Sequence, residues 1–107
     1  MTSGNVARMP LNPAIATPII MAVAKASANV QFTRHAEERM IERGITRLQI
    51  LRCLQKGHIT EGPNADNEKG GWTFRMETLS AGDPVTVIGA LYINEDDNNI
   101  VVITAYQ

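Results

Sequence analysis

At Gly57 the spacing of apolar residues changes from a helical period of about 3.6 to a strand period of two. Helices therefore come first and strands follow. Arg34 to Arg43 has helical spacing and stops at Gly44, which can turn left-handed without steric cost so that Ile45 folds back on the helix. Thr46 then caps a helix from Arg47 to Lys56, whose apolar face is Leu48, Ile50, Leu51 and Leu54 with Cys53 nearby, and Gly57 is expected to end it in the same left-handed way. After it, Ile59 to Gly62, Gly71 to Leu79, Val85 to Ile93 and Ile100 to Tyr106 read as four strands. The segments between them, PNADNEKG, SAGDP and NEDDNN, are rich in turn residues and short enough to join antiparallel neighbours. The expected fold is α+β, with N-terminal helices packed on one face of a four-stranded antiparallel meander.

Before these elements, residues 1–10 are small, polar and aperiodic and read as a loose arm, leaving 11–107 for one domain. At 107 residues and 44% hydrophobic, the chain suffices for one modest core. A first helix has two possible starts, Asn12 capping Pro13 or Thr17 capping Pro18; the former runs to about Asn29. Either start buries Ile19, Ile20 and Val23. The apolar run Ala14 to Ala24 is too short to span a bilayer, which takes about 20 residues, and as a secretory signal it is interrupted by Pro18 and followed by Lys25. An amphipathic helix on the domain accounts for it, and no membrane partner is expected. One cysteine, Cys53, forms no internal disulfide, which favours a reducing, cytoplasmic setting.

Charge is partitioned between the two halves. In 34–56, six basic residues oppose Glu37, Glu38 and Glu42, for +3; from Gly57 onward, Lys69 and Arg75 oppose eight acidic residues, for −6. The net charge of −1 excludes a protein that coats nucleic acid by bulk charge, so any such contact is local.

His35, Arg39 and Arg43 recur every four residues and share one helical stripe. Arginines so spaced repel slightly unless something negative lies near them. In one reading Glu42 pairs with Arg39 and Glu38 with Arg34, giving a solvated face. In the other, the arginines clamp a phosphate and His35 transfers a proton. On the strands, Trp72, Phe74 and Met76 share one face and Thr73, Arg75 and Glu77 the other. Arg75 either pairs toward Glu77 or lines a concave surface. Val102, Thr104 and Tyr106 are expected on one face, Ile103 and Ala105 on the other; Thr104 is either a β-former or a functional hydroxyl. A glycine-rich phosphate loop and zinc-ligand spacing are missing, so no cofactor or metal is expected. Cys53 reads as a small buried hydrophobe and His58 as a structural residue after a helix end.

The run Phe32 to Thr46, FTRHAEERMIERGIT, resembles the bacterial family named domain of unknown function 4258, with its pattern T-x-H-A-x-x-R-M-x-x-R-G-I-[ST]. The resemblance extends through Lys56-Gly57, Phe74-Arg75 and Val102 to Tyr106. That family in turn is similar to the superfamily of small metal-independent ribonucleases and toxins that includes barnase-like, EndoU-like, colicin-nuclease and RelE-like domains. The resemblance implies RNA cleavage through the 2′-hydroxyl, with His35 moving the proton, Arg39 and Arg75 holding the phosphate, and Thr104 or Tyr106 positioning it. Arg34 and Arg43 would add substrate contacts. The implied partners are RNA and an antitoxin or immunity protein. The alternative is a non-catalytic interaction module in which the same histidine and arginines serve the fold.

Overall fold

The computed structural model describes residues 11–80 and 83–107, so the expected arm at 1–10 lies outside the described residues. The chain runs α1 (Pro13–Ala24), a 3-10 turn (Ser27–Asn29), β1 (Val30–Phe32), α2 (Arg34–Arg43), α3 (Arg47–Lys56), β2 (His58–Ala65), β3 (Trp72–Ser80), β4 (Asp83–Tyr92) and β5 (Asn99–Tyr106). Each helix starts at a side-chain cap. Asn12 accepts from the Ile15 N–H at 2.9 Å, Thr33 from Ala36 at 2.9 Å, and Thr46 forms a capping box with Gln49.

Of the two starts open to α1, the Asn12–Pro13 one is realised, and the helix ends at Ala24 rather than near Asn29. Pro18 is thus inside it, where its missing N–H leaves the Ala14 carbonyl without its helical donor. Pro18 and Ala14 are both exposed, so water can take the place of the missing N–H and donate to that carbonyl. At the other end, Gln55 Nε2 donates to the Ala24 carbonyl at 3.0 Å and ties α1 to α3.

The sheet has five strands in the order β1-β5-β4-β3-β2, one more than the sequence reading. The antiparallel meander is present. The addition is β1, which pairs parallel to β5 from Val30↔Ile100 to Phe32↔Val102. Three residues are too few to show a period, yet they satisfy backbone groups that β5 would otherwise expose at its edge.

Helices cover one face of this sheet. The core gathers Ile20, Ile50, Leu54, Met76, Leu91 and Ile100, all fully buried, and Phe74 and Met76 point into it as expected. Leu48 does not join them: it is 58% exposed, because Ile50, Cys53 and Leu54 already define the buried side of α3. Gly44 is left-handed (φ 68°) and Ile45 folds back, donating its N–H to the Met40 carbonyl at 2.9 Å. Gly57 corrects the other expected turn. Its backbone is extended (φ −81°), and glycine is needed because a Cβ there would lie 2.6 Å from the carbonyl oxygens of Cys53 and Glu77.

Candidate functional site

Strand alternation sorts the side chains of the face that none of the described helices covers. Arg75 on β3, Ile88 on β4 and Thr104 on β5 form one cross-strand row, and Glu77, Thr86 and Tyr106 form the next. With strands roughly 4.8 Å apart, the Cα atoms of Arg75 and Thr104 are about 10 Å apart. One expectation for β5 is overturned here. The register jumps from Ile88↔Thr104 to Gly89↔Val102, so Ile103 is an extra residue in a bulge. Val102 and Ala105 therefore both face the core, fully buried, and Thr104 and Tyr106 face away from Val102.

A cleft of about 130 Å³ opens beside this row, lined by Glu61, Asn64, Thr73, Phe74, Arg75 and Ile88. Arg75 does both things that the sequence left open. Its Nη1 lies 3.6 Å from Glu61 Oε1 and its Nε 3.4 Å from Glu77 Oε2, and it also lines the cleft. Both separations exceed the 2.7–2.9 Å of a charge-assisted hydrogen bond, and Nε, shielded from solvent, has no hydrogen-bond partner among the described residues. Glu77 is held in turn by Thr60, whose hydroxyl donates to Oε2 at 3.3 Å. The guanidinium is neighboured by two carboxylates while retaining unfilled donors.

The helical stripe divides. Arg39 pairs with Glu42, as one reading expected. No ion pair joins Arg34 to Glu38 among the described residues; instead Glu37 pairs with Arg47 at 2.7 Å, because Arg47 at the start of α3 reaches back across the Gly44 turn. That guanidinium also lies 4.4 Å from the centroid of the Phe32 ring. Arg43 turns to the sheet, donating from Nη1 to the Ala105 carbonyl at 2.7 Å and lying 5.1 Å from the centroid of the Tyr106 ring. His35 and Arg34 are exposed on α2, and no hydrogen bond or ion pair among the described residues links either to Arg75 or Thr104. The structure thus brings Arg75 near Thr104 and Arg43 against Tyr106, and leaves His35 and Arg34 on the helix surface.

Glu61, Asn64, Thr73 and Ile88 line the cleft without having been singled out in the sequence. Their signal is cross-strand register, and β2 hides it: the pairing with β3 shifts between Ile59 and Glu61 and again between Glu61 and Asn64. Cys53 is excluded as a nucleophile. Burial, with the Glu77 charge adding to it, pushes its thiol up to about 12. No three His, Cys, Asp or Glu side chains among the described residues gather as a metal site, and no described helix is long and apolar enough to cross a membrane.

Residues 32–107 match the model of a family described as a domain of unknown function (DUF4258). No curated protein and no solved structure matches the chain.

Proposed function

The chain belongs to the DUF4258 family, and from that premise we propose that it acts on RNA as a metal-independent, toxin-like ribonuclease or RNA-binding domain. The observation that carries this reading is the uncovered sheet face, on which Arg75 and Thr104 flank Ile88 beside an open cleft. Cleavage through the 2′-hydroxyl needs a proton acceptor and a cation for the charge that develops on the phosphate. Arg75 supplies the cation with unfilled donors, and the carboxylates of Glu61 and Glu77, within 3.6 Å of it, are proton acceptors in the same place. The similarity to small metal-independent ribonucleases that the FTRHAEERMIERGIT motif implies points to the same chemistry. His35 and Arg39 remain the proton-transfer and phosphate groups that this resemblance assigns, on the helix beside β5. RNA is the partner, with an antitoxin or immunity protein as its natural restraint.

Purified protein incubated with mixed RNA in EDTA is expected to cleave it. Arg75→Ala should lower the rate at least 100-fold, and His35→Ala tests whether the helix or the sheet holds the proton-transfer group. Intact RNA at high concentrations of folded protein would sink the catalytic reading. A second reading has its own support in the Arg39–Glu42 and Glu37–Arg47 pairs: the chain is a non-catalytic interaction module. Neither cleavage nor binding of RNA by the folded protein would favour it, whereas binding without cleavage would leave an RNA-binding domain.

A further inference from the structure

Tyr106 is 40% exposed, the one aromatic ring among the exposed large hydrophobic residues described. Its presentation is fixed by its neighbours. Ala105 before it is buried against Val87, so the tyrosine must face the uncovered side of the sheet. Arg43 covers part of the ring, and its guanidinium is itself anchored by the 2.7 Å bond to the Ala105 carbonyl. The result is an aromatic ring held on a strand, backed by a cation and still open to solvent.

We propose that Tyr106, backed by Arg43, is a stacking platform for one unpaired base, which makes single-stranded RNA the ligand class of this face. The inference rests on the RNA reading above. Every base offers a π face to an aromatic ring, but in a duplex those faces are stacked on their neighbours and cannot reach a side chain on a protein surface. Thr104 lies two residues back on the same face, and Arg75 stands two strands over. Strand spacing and rise put the Cα atoms of Tyr106 and Arg75 roughly 12 Å apart. A base on Tyr106 therefore leaves room for the backbone to carry a phosphate to Arg75. Stacking is sequence-tolerant, so little base preference is expected from Tyr106 itself.

The test is fluorescence anisotropy with a labelled 2′-O-methyl oligouridine, which cannot be cleaved through its 2′ position. Tyr106→Phe should bind within about twofold of the parent protein, and Tyr106→Leu roughly fivefold to 100-fold more weakly, the range stacking contributes per base. The slope of log affinity against log salt should be the same for both, because stacking displaces no counterions. Tyr106→Leu binding as tightly as the parent would overturn the platform while leaving the RNA reading standing. No oligonucleotide binding by the parent protein would overturn both. A measurement on the unaltered chain guards against a misfolded variant: adding the oligonucleotide should move the Tyr106 ring proton resonances upfield. Tyr92, whose ring packs over Gly71, should stay in place. An unmoved Tyr106 signal in the bound protein would also overturn the platform.

Discussion

Gly44 and Gly57 both end helices, and the sequence offers no way to tell their reasons apart. At Gly44 the backbone is left-handed and a Cβ would meet nothing within 4 Å, so Gly44→Ala should cost only the strain of the conformation, about 1–2 kcal/mol. Gly57→Ala has ordinary dihedrals and no room. Its Cβ would press on backbone from α3 and β3 at once, so one element must move, for roughly 1–3 kcal/mol. Gly44→Asn should recover part of the first loss, since asparagine tolerates left-handed backbone, whereas Gly57→Asn should be worse than Gly57→Ala. Urea unfolding midpoints check the ordering, and a Gly44→Asn variant less stable than Gly44→Ala would contradict it. Cys53 adds a pH signature. Its folded value, raised from 9.0 to about 12, means that the stability gained by keeping the thiol neutral is fully present below about pH 9 and is lost as pH rises through about 12. The stability difference between the parent protein and Cys53→Ala should therefore shrink with rising pH across that window; a constant difference would refute the assignment.

Elements were legible where a side chain caps or a period persists. Gly44 and Thr46 mark the end of α2 and the start of α3 to the residue, and Trp72, Phe74 and Met76 alternate without interruption. What escaped the sequence are features set by another part of the chain. β1 exists because β5 offers it an edge, and the Ile103 bulge shows only against the register of β4. The candidate site suffered most, because cross-strand neighbours decide it. Arg75 and Thr104 were recognisable as residue types, but Glu61 and Asn64 reach the cleft through register shifts that no local pattern encodes. Helix α1 illustrates a local rule that tertiary packing overrides. Pro18 is tolerated there because Ile20, Val23 and Ala24 are buried on the other side. Since Pro18 is exposed, Pro18→Ala should restore the bond to the Ala14 carbonyl and stabilise the protein by roughly 1–3 kcal/mol. A lower thermal midpoint for that variant would contradict the cost assigned to the missing hydrogen bond.

Across the whole molecule, the +3 of residues 34–56 sits on the helical layer and beside β5, while the −6 of residues 57–107 belongs to the sheet half and its turns, Arg8 and Lys25 making up the difference to the net −1. Arg75 and Lys69 carry positive charge into the acidic half, and of the two Arg75 stands on the sheet between Glu61 and Glu77. A polyanion approaching the uncovered face is therefore drawn by few cations and repelled elsewhere, so binding should be weak and its salt dependence shallow. Each neutralised phosphate of a single strand contributes a slope of about −0.7, so with about three arginines engaged affinity should fall roughly tenfold to twentyfold between 50 and 200 mM salt. Removal of a cation that meets phosphate should lower the slope by one such increment. Arg75→Ala and Arg39→Ala are expected to do so, Arg39 by giving up Glu42 for the ligand. Arg47→Ala, whose guanidinium is held by Glu37 and the Phe32 ring, and Lys69→Ala, in an acidic-flanked turn, should leave it unchanged. Equal slopes for the Arg75 and Lys69 variants would remove the sheet face as the nucleic-acid surface, and a changed slope for Arg39 alone would move that surface to the helix.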